Sequence, residues 1–130
     1  MPPSIYIAVS PADSAIADVL QVYLEHAGIH CVRRDDVQVL LDFVRDLQMT
    51  MKNCTAIVVI DSLSFREETH NWELYYAQRL ENPLVVVSLE SPLDEANSTE
   101  RVKLIDFTTP QARDWHRLLE SIVTLLNRHD

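Results

Sequence analysis

Glycine is almost absent from this chain, since Gly28 is the single example among 130 residues. The G-x-G-x-x-G loop that binds dinucleotides and the Walker-type phosphate loop each need more than one glycine, so both are excluded. A phosphate group on this protein must therefore be bound by the N-terminus of a helix or by arginine side chains.

Cysteines and basic residues are also scarce. Cys31 and Cys54 lack the spacing of a metal or redox motif, which predicts reduced thiols and a cytoplasmic location. Eleven Lys and Arg against twenty Asp and Glu give a net charge of −9, so we expect no nucleic-acid partner. Gly28 separates His26 from His30, so their spacing predicts no metal site.

Long apolar runs are missing as well. No run reaches the roughly 18 apolar residues that a membrane span needs. The first ten residues lack a basic segment followed by an apolar one, so the sequence predicts no signal peptide. The net charge of −9 also argues against an anionic membrane surface, so we expect no membrane partner.

Five short apolar runs, rich in β-branched residues, are predicted to be strands. They cover residues 4–9, 29–32, 54–61, 82–89 and 102–107. Helices are predicted between Ser10 and Gly28 and over residues 37–53, 64–80 and 108–129, with an acidic loop at 90–100 as the fourth connection. Right-handed crossovers then predict a flavodoxin-like, doubly wound α/β fold. Its five parallel strands would take the order 2-1-3-4-5 with helices on both faces, and residues 1–130 would form a single domain.

The predicted helix over residues 64–80 contains one acid in an unusual place. Ser64 and Glu67 are spaced as a capping box, and an apolar stripe runs through Trp72 and Tyr76. Glu73 lies against that stripe. It is either an ordinary boundary acid, exposed on the helix surface and paired with a nearby arginine, or a carboxylate placed for chemistry.

Other polar residues follow strands 1, 2 and 3, where doubly wound sheets bind their ligands. Ser10 and Asp13 are explained by helix capping, or they line a ligand cleft. Residues 33–36, "RRDD", form a charged loop, and Asp61 ends the third run. Asp61 has the position of the phosphoacceptor in a response-regulator receiver. However, the chain lacks the acidic pair after strand 1 and the lysine after strand 5 that phosphoryl transfer would need.

The order of several segments resembles the TIR (Toll/interleukin-1 receptor) domain over nearly the whole chain. Residues 4–32, "SIYIAVSPADSAIADVLQVYLEHAGIHCV", resemble its opening strand, helix and second strand. "MKNCTAIVVIDSLSF" is similar to its third strand and exit, and "NWELYYA" to the E-L-x-x-A of its third helix. "PLVVVSL" and "LIDFT" follow in the same order.

This resemblance implies an NAD⁺ glycohydrolase, since many TIR domains hydrolyse NAD⁺ with the third-helix glutamate. Glu73 would then be the catalytic residue. Ser10, Asp13, Arg33, Arg34, Trp72 and Tyr76 would be substrate-binding candidates. NAD⁺ would be the substrate, with no cofactor and no metal. The arginines would neutralise the diphosphate or instead pair with Asp35 and Asp36, and the two aromatic residues would stack on a base or simply belong to the core.

The resemblance also implies homotypic TIR–TIR self-association, a fused or separate sensor domain, and a role in signalling or defence. The alternative is a non-catalytic adaptor that acts only through TIR–TIR contacts. Two departures favour that alternative. Thr69 stands where TIR domains often have a Trp four residues before the glutamate, and "RRDDVQVLL" has no Gly or Pro.

Overall fold

The computed structural model describes residues 3–109, 111 and 113–128. The strands are β1 (Ser4–Ala8), β2 (His30–Val32), β3 (Ala56–Asp61), β4 (Leu84–Ser88) and β5 (Val102–Asp106). The helices are α1 (Ser14–His26), α2 (Phe43–Asn53), α3 (Leu63–Arg66), α4 (Trp72–Arg79) and α5 (Trp115–Arg128). Short 3₁₀ turns at Pro11–Asp13, Arg34–Asp36 and Glu95–Asn97 lie in three of the loops.

All five strands are parallel and take the order β2-β1-β3-β4-β5, which confirms the predicted topology. All six residues of β3 are buried, as expected for the central strand of a sheet that is covered on both faces. The carboxyl ends of β1 and β3 lie side by side because Ala8 is in register with Val59. That edge is where the polar residues after β1 and β3 meet.

Side chains alternate across the sheet and build one core layer on each face. Ile5 and Ile7 of β1 pack with buried residues of α1 and α5. Tyr6 and Ala8 point to the opposite face, where they pack with α2, α3 and α4. Helices therefore cover both faces, and Tyr6 shares its layer with the helix that carries Glu73.

The single helix predicted over residues 64–80 is wrong, because the segment forms α3 and α4 with a break between them. Asn71 stabilises the break from both sides. Its Oδ1 accepts from the Leu74 N–H at 2.9 Å, and its Nδ2 donates to the Phe65 carbonyl at 2.7 Å. His70 just before it has a φ of 52°. The predicted Ser64–Glu67 capping box is also wrong, since Ser62 caps α3 by accepting from the Phe65 N–H.

Two other helices begin later than predicted, because acids inside the predicted segments cap them. Asp42 accepts from the Arg45 N–H at 2.8 Å, so α2 begins at Phe43 rather than near 37. Asp114 accepts from the Arg117 N–H at 3.0 Å, and α5 begins at Trp115 rather than 108. Residues 110, 112 and 129 of that last prediction lie outside the described residues. Gly28, with a φ of 80°, ends the first helix as predicted.

Candidate functional site

Glu73 lies in the first turn of α4 and is 2% exposed. Its Oε2 accepts a 2.7 Å hydrogen bond from the Tyr6 hydroxyl of β1. Its Oε1 accepts from Arg34, through Nε at 3.0 Å and through Nη2 in a shorter contact. The interpretation of Glu73 as an exposed boundary acid is therefore wrong, although its pairing with an arginine is confirmed.

Arg34 contacts two acids at once. Its Nη2 also donates to Glu68 Oε2 at 3.0 Å, from the segment between α3 and α4. Nη1 of Arg34 has no hydrogen-bond partner among the residues that the structure describes. The Arg34 side chain is 35% exposed, so one guanidinium nitrogen remains available to a ligand.

Burial raises the pKa of Glu73 above its ordinary value, because a charged carboxylate loses its hydration. The hydrogen bonds from Tyr6 and Arg34 and the Arg34 charge oppose that rise, whereas the negative charge of Glu68 adds to it. Burial acts to lower the pKa of Arg34, but its bonds to the two glutamates outweigh burial and raise it. Burial and the adjacent carboxylate also raise the pKa of the Tyr6 hydroxyl, which therefore remains a donor.

Two cavities of about 270 Å³ each meet at this carboxylate. The first cavity lies beside α4, and its lining includes Glu68, His70 and Trp72. The second lies beyond the end of β1 and is lined by Ser10, Ser14, Arg33 and Asp35 with neighbouring apolar residues. Arg34 and Glu73 line both cavities. A ligand that spans the two cavities would therefore have to pass this ion pair.

Five of the seven predicted site residues line these cavities. They are Ser10, Arg33, Arg34, Trp72 and Glu73. The Ser10 hydroxyl accepts from the Ala12 N–H at 3.3 Å, so the predicted capping contact is also present.

Asp13 and Tyr76 line neither cavity. The Asp13 carboxylate accepts a 2.6 Å hydrogen bond from Ser62. Tyr76 is buried and stacks against Trp72 at 6.1 Å between ring centroids, which agrees with the core interpretation of Tyr76.

One interpretation of the charged loop predicted that Arg33 and Arg34 pair with Asp35 and Asp36. That interpretation is wrong, because neither arginine side chain contacts either acid in an ion pair. Arg33 binds Asp18 and Arg34 binds the two glutamates. Asp36 instead accepts from the Arg33 backbone N–H at 2.9 Å.

Sequence reasoning missed Tyr6 and Glu68. Tyr6 had a signal, because a tyrosine inside a buried strand must find a partner for its hydroxyl. No feature of the sequence indicated Glu68, because the sequence predicted a single helix over residues 64–80 that does not form. In the structure Glu68 belongs to the segment between α3 and α4 and contacts Arg34.

Asp61, at the end of β3, is held by an arginine. Arg66 Nε donates to Oδ1 at 2.7 Å and Arg66 Nη2 donates to Oδ2 at 2.6 Å, and Asp61 is 5% exposed. Within the described ranges, no group of three or more His, Cys, Asp or Glu residues could hold a metal ion. Both carboxylate oxygens of Asp61 are thus engaged by a cation of the protein itself.

The sheet order and the helices on both faces define a flavodoxin-like, doubly wound α/β protein. The receiver domain of the Francisella response regulator 1452 has this fold, with a TM-score of 0.61 over 98% of this chain and 99% of that chain. At 16% sequence identity, that likeness shows the fold alone. The sequence model of the TIR domain family matches residues 5–122, so the chain belongs to the TIR domain family.

The search of curated proteins found no match to this chain. In the part of the chain that the structure describes, no helix has the length and apolar character to cross a membrane.

Proposed function

We propose that this TIR domain is an NAD⁺ glycohydrolase with Glu73 as its catalytic carboxylate. The observation that supports the proposal is the placement of Glu73, which is almost excluded from water yet lines two adjoining cavities. A fixed carboxylate in a partly dry site stabilises developing positive charge far better than an acid in water does.

A single carboxylate is enough for this reaction. Ordinary glycosidases use two, one of which protonates the leaving group. The nicotinamide of NAD⁺ is already cationic and leaves as a neutral molecule, taking the electron pair of the bond between its nitrogen and C1′ of the ribose. Water then bonds to C1′ and releases one proton to solvent, which yields nicotinamide, ADP-ribose and H⁺. Attack on C1′ by a group of the ligand itself would give a cyclic product instead.

The other cavity residues divide between the two ends of the substrate. Trp72 offers an aromatic face beside Glu73, suited to the nicotinamide ring. Ser10, Arg33 and Arg34 line the second cavity, where the ribose hydroxyls and the diphosphate would lie. Asp13 and Tyr76 would act indirectly, through Ser62 and Trp72. The proposal requires no cofactor, because NAD⁺ is the substrate.

The proposed setting is the cytoplasm, where Cys31 and Cys54, both buried and unpaired, would stay reduced. Activity would depend on homotypic assembly, in keeping with the TIR family. An apolar loop suited to such contacts precedes α2, with Val39, Leu40 and Leu41 exposed. A sensor, fused or separate, would control assembly in signalling or defence.

The test is incubation of purified protein with NAD⁺ at high protein concentration, with chromatography for free nicotinamide. We expect nicotinamide and an ADP-ribose product in equal amounts. The absence of nicotinamide release at high concentration and with crowding agents would contradict the proposal.

One observation favours the second candidate, a non-catalytic TIR adaptor. The Arg34 guanidinium neutralises Glu73, as in a structural ion pair. If Glu73 serves only in this ion pair, substitution of Glu73 would lower both stability and TIR–TIR association. The wild-type protein would then release no nicotinamide under any condition.

A further inference from the structure

The Arg34–Glu73 pair presents a difficulty for the proposed chemistry. Glu73 can stabilise a cationic sugar only with its negative charge available, yet Arg34 contacts Oε1 through two nitrogens. A cation that enters the first cavity would meet a neutralised carboxylate. Arg34 must therefore be displaced from Glu73 before the carboxylate can act.

Displacement of Arg34 alone is unfavourable, because it leaves a buried carboxylate without its cation. The groups that face Glu73 are Tyr6 from β1, Arg34 from the 3₁₀ turn, and Glu68 from the segment before α4. Only Arg34 among them is positively charged. A cation on the ligand would have to take its place beside Glu73.

The displaced guanidinium needs an anion as well. Arg34 lines both cavities, keeps Glu68 as an outer partner, and has Nη1 unpaired among the described residues. A small rotation toward the second cavity would let its planar fork bind two phosphate oxygens, the geometry that arginine favours. After the exchange, Arg34 pairs with the diphosphate and Glu73 pairs with the cation of the ligand, so neither charge is left without a partner.

We propose that Arg34 is a specificity-determining residue that selects ligands carrying both a cationic ring and a diphosphate, by exchanging Glu73 for the diphosphate as the cation enters. This inference rests on the proposed function and names what the site selects. NAD⁺ has both charges. NADH lacks the cationic ring and ADP-ribose lacks any cation, so these two ligands can bind Arg34 but cannot replace it beside Glu73. Nicotinamide riboside lacks the diphosphate, so it offers Glu73 a cation but gives Arg34 no anion.

The first experiment compares two substrates in three proteins, namely wild type, Arg34→Gln and Arg45→Gln. Arg45 is a matched control, because it is exposed and its side chain has no partner in the described part of the chain. Arg34→Gln should lower kcat/KM for NAD⁺ by roughly tenfold to a hundredfold, the scale of losing one charged hydrogen-bond partner. It should raise the turnover of saturating nicotinamide riboside, because the cationic ring then displaces a proton from Glu73 rather than a guanidinium that has no diphosphate to bind.

The expected fall in activity on NAD⁺ together with the rise in activity on nicotinamide riboside distinguishes the proposal from simpler roles of Arg34. An arginine that only binds phosphate would leave riboside turnover unchanged, and an arginine that only supports the fold would lower both activities. Either result would overturn the exchange. Arg45→Gln should match wild type on both substrates.

The second experiment does not depend on turnover. Calorimetry in buffers of different ionisation enthalpy counts the protons taken up when a ligand binds. ADP-ribose should draw Arg34 away without replacing its charge, so Glu73 should take up a proton that Glu73→Gln does not. Carbocyclic NAD⁺, which keeps the cationic ring but resists cleavage, should bind without that uptake.

The calorimetric outcomes separate this inference from the proposed function. Equal proton uptake with both ligands, no uptake with ADP-ribose, or no ADP-ribose binding would each overturn the exchange, even in a protein that hydrolyses NAD⁺. The expected difference in a protein that releases no nicotinamide would support the exchange while contradicting the hydrolase.

Discussion

Tyr6 and Glu73 are 67 positions apart in sequence, and the Tyr6 hydroxyl donates a 2.7 Å hydrogen bond to Glu73 Oε2. Tyr6 lies in β1 with no exposed surface, so its hydroxyl depends on this one acceptor. The bond opposes the rise that burial causes in the pKa of Glu73. A tyrosine of the sheet core thereby helps keep the candidate catalytic carboxylate ionised.

Tyr6→Phe should therefore change the pH dependence of activity. Loss of the hydroxyl removes one donor to the carboxylate, which raises the pKa of Glu73 and moves the acidic limb of nicotinamide release to higher pH. Stability should fall by about 1.5–3 kcal/mol, the usual scale for a hydrogen bond to a charged group. The measurements are kcat against pH and urea unfolding.

Tyr75→Phe is the matched control. Tyr75 is 43% exposed, and its hydroxyl has no hydrogen-bond partner within the described part of the chain. Its pH profile should match that of wild type. An unchanged profile in Tyr6→Phe as well would show that the bond from Tyr6 does not affect the reacting carboxylate.

Glu73→Gln should lower nicotinamide release by roughly a hundredfold or more, the scale of removing one well-placed electrostatic stabiliser. At neutral pH it should leave stability unchanged or raise it, because the neutral amide avoids the burial cost that raises the pKa of Glu73. Steady-state turnover and urea unfolding on the same preparation measure both effects. Glu81→Gln removes an equal charge at an exposed site and should change neither. Equal turnover in Glu73→Gln and wild type would remove Glu73 from the mechanism.

The stability difference between wild type and Glu73→Gln should depend on pH. A raised pKa means that the folded protein binds the Glu73 proton more tightly than the unfolded chain does, whose ordinary value is 4.5. Wild type should therefore lose stability relative to Glu73→Gln as pH rises from about 4.5 through the raised pKa, and remain level above it. Urea unfolding of both proteins across that range measures the difference. A relative gain over the same range would show that the ion pair outweighs burial and lowers this pKa.

Activity per molecule should rise with protein concentration if assembly completes the site. The charge of −9 opposes association at low ionic strength, so moderate salt should favour it. Leu40→Gln, at a side chain 74% exposed in the loop before α2, should weaken this rise. Met49→Gln on α2, at 49% exposure, serves as its control. Light scattering and activity are measured over the same dilution series, and strictly linear activity from a monomer would contradict a shared site.

Asp61 should not become phosphorylated by a small phosphodonor with Mg²⁺, although the fold matches a receiver domain. Both of its carboxylate oxygens accept from Arg66, which takes the place of an incoming phosphoryl group or metal. Intact-mass measurement after incubation with acetyl phosphate should show no adduct. A stable adduct that Asp61→Asn abolishes would support receiver chemistry instead.

The sequence determined the architecture, because burial on a sheet follows the order of apolar runs. The apolar segment 56–60 can bury both of its faces at the centre of a parallel sheet that is covered by helices on both sides. The alternation of strands and helices then leaves few possible strand orders. The helix boundaries were harder to predict from the sequence. Asp42, Asn71 and Asp114 each begin a helix by accepting one hydrogen bond from a backbone N–H, and the same residue types also occur on exposed helix faces.

Only the tertiary structure decided what surrounds Glu73. Its partners come from β1 and from the turn after β2, at separations of 67 and 39 positions, and no periodicity links those segments to α4. A hydrogen bond forms or fails over a few tenths of an ångström, whereas hydrophobic burial tolerates wider variation. The sequence could therefore indicate that an acid lies beside the core. The packing of α4 against β1 decided that this acid is buried, bound by Tyr6, and neutralised by Arg34.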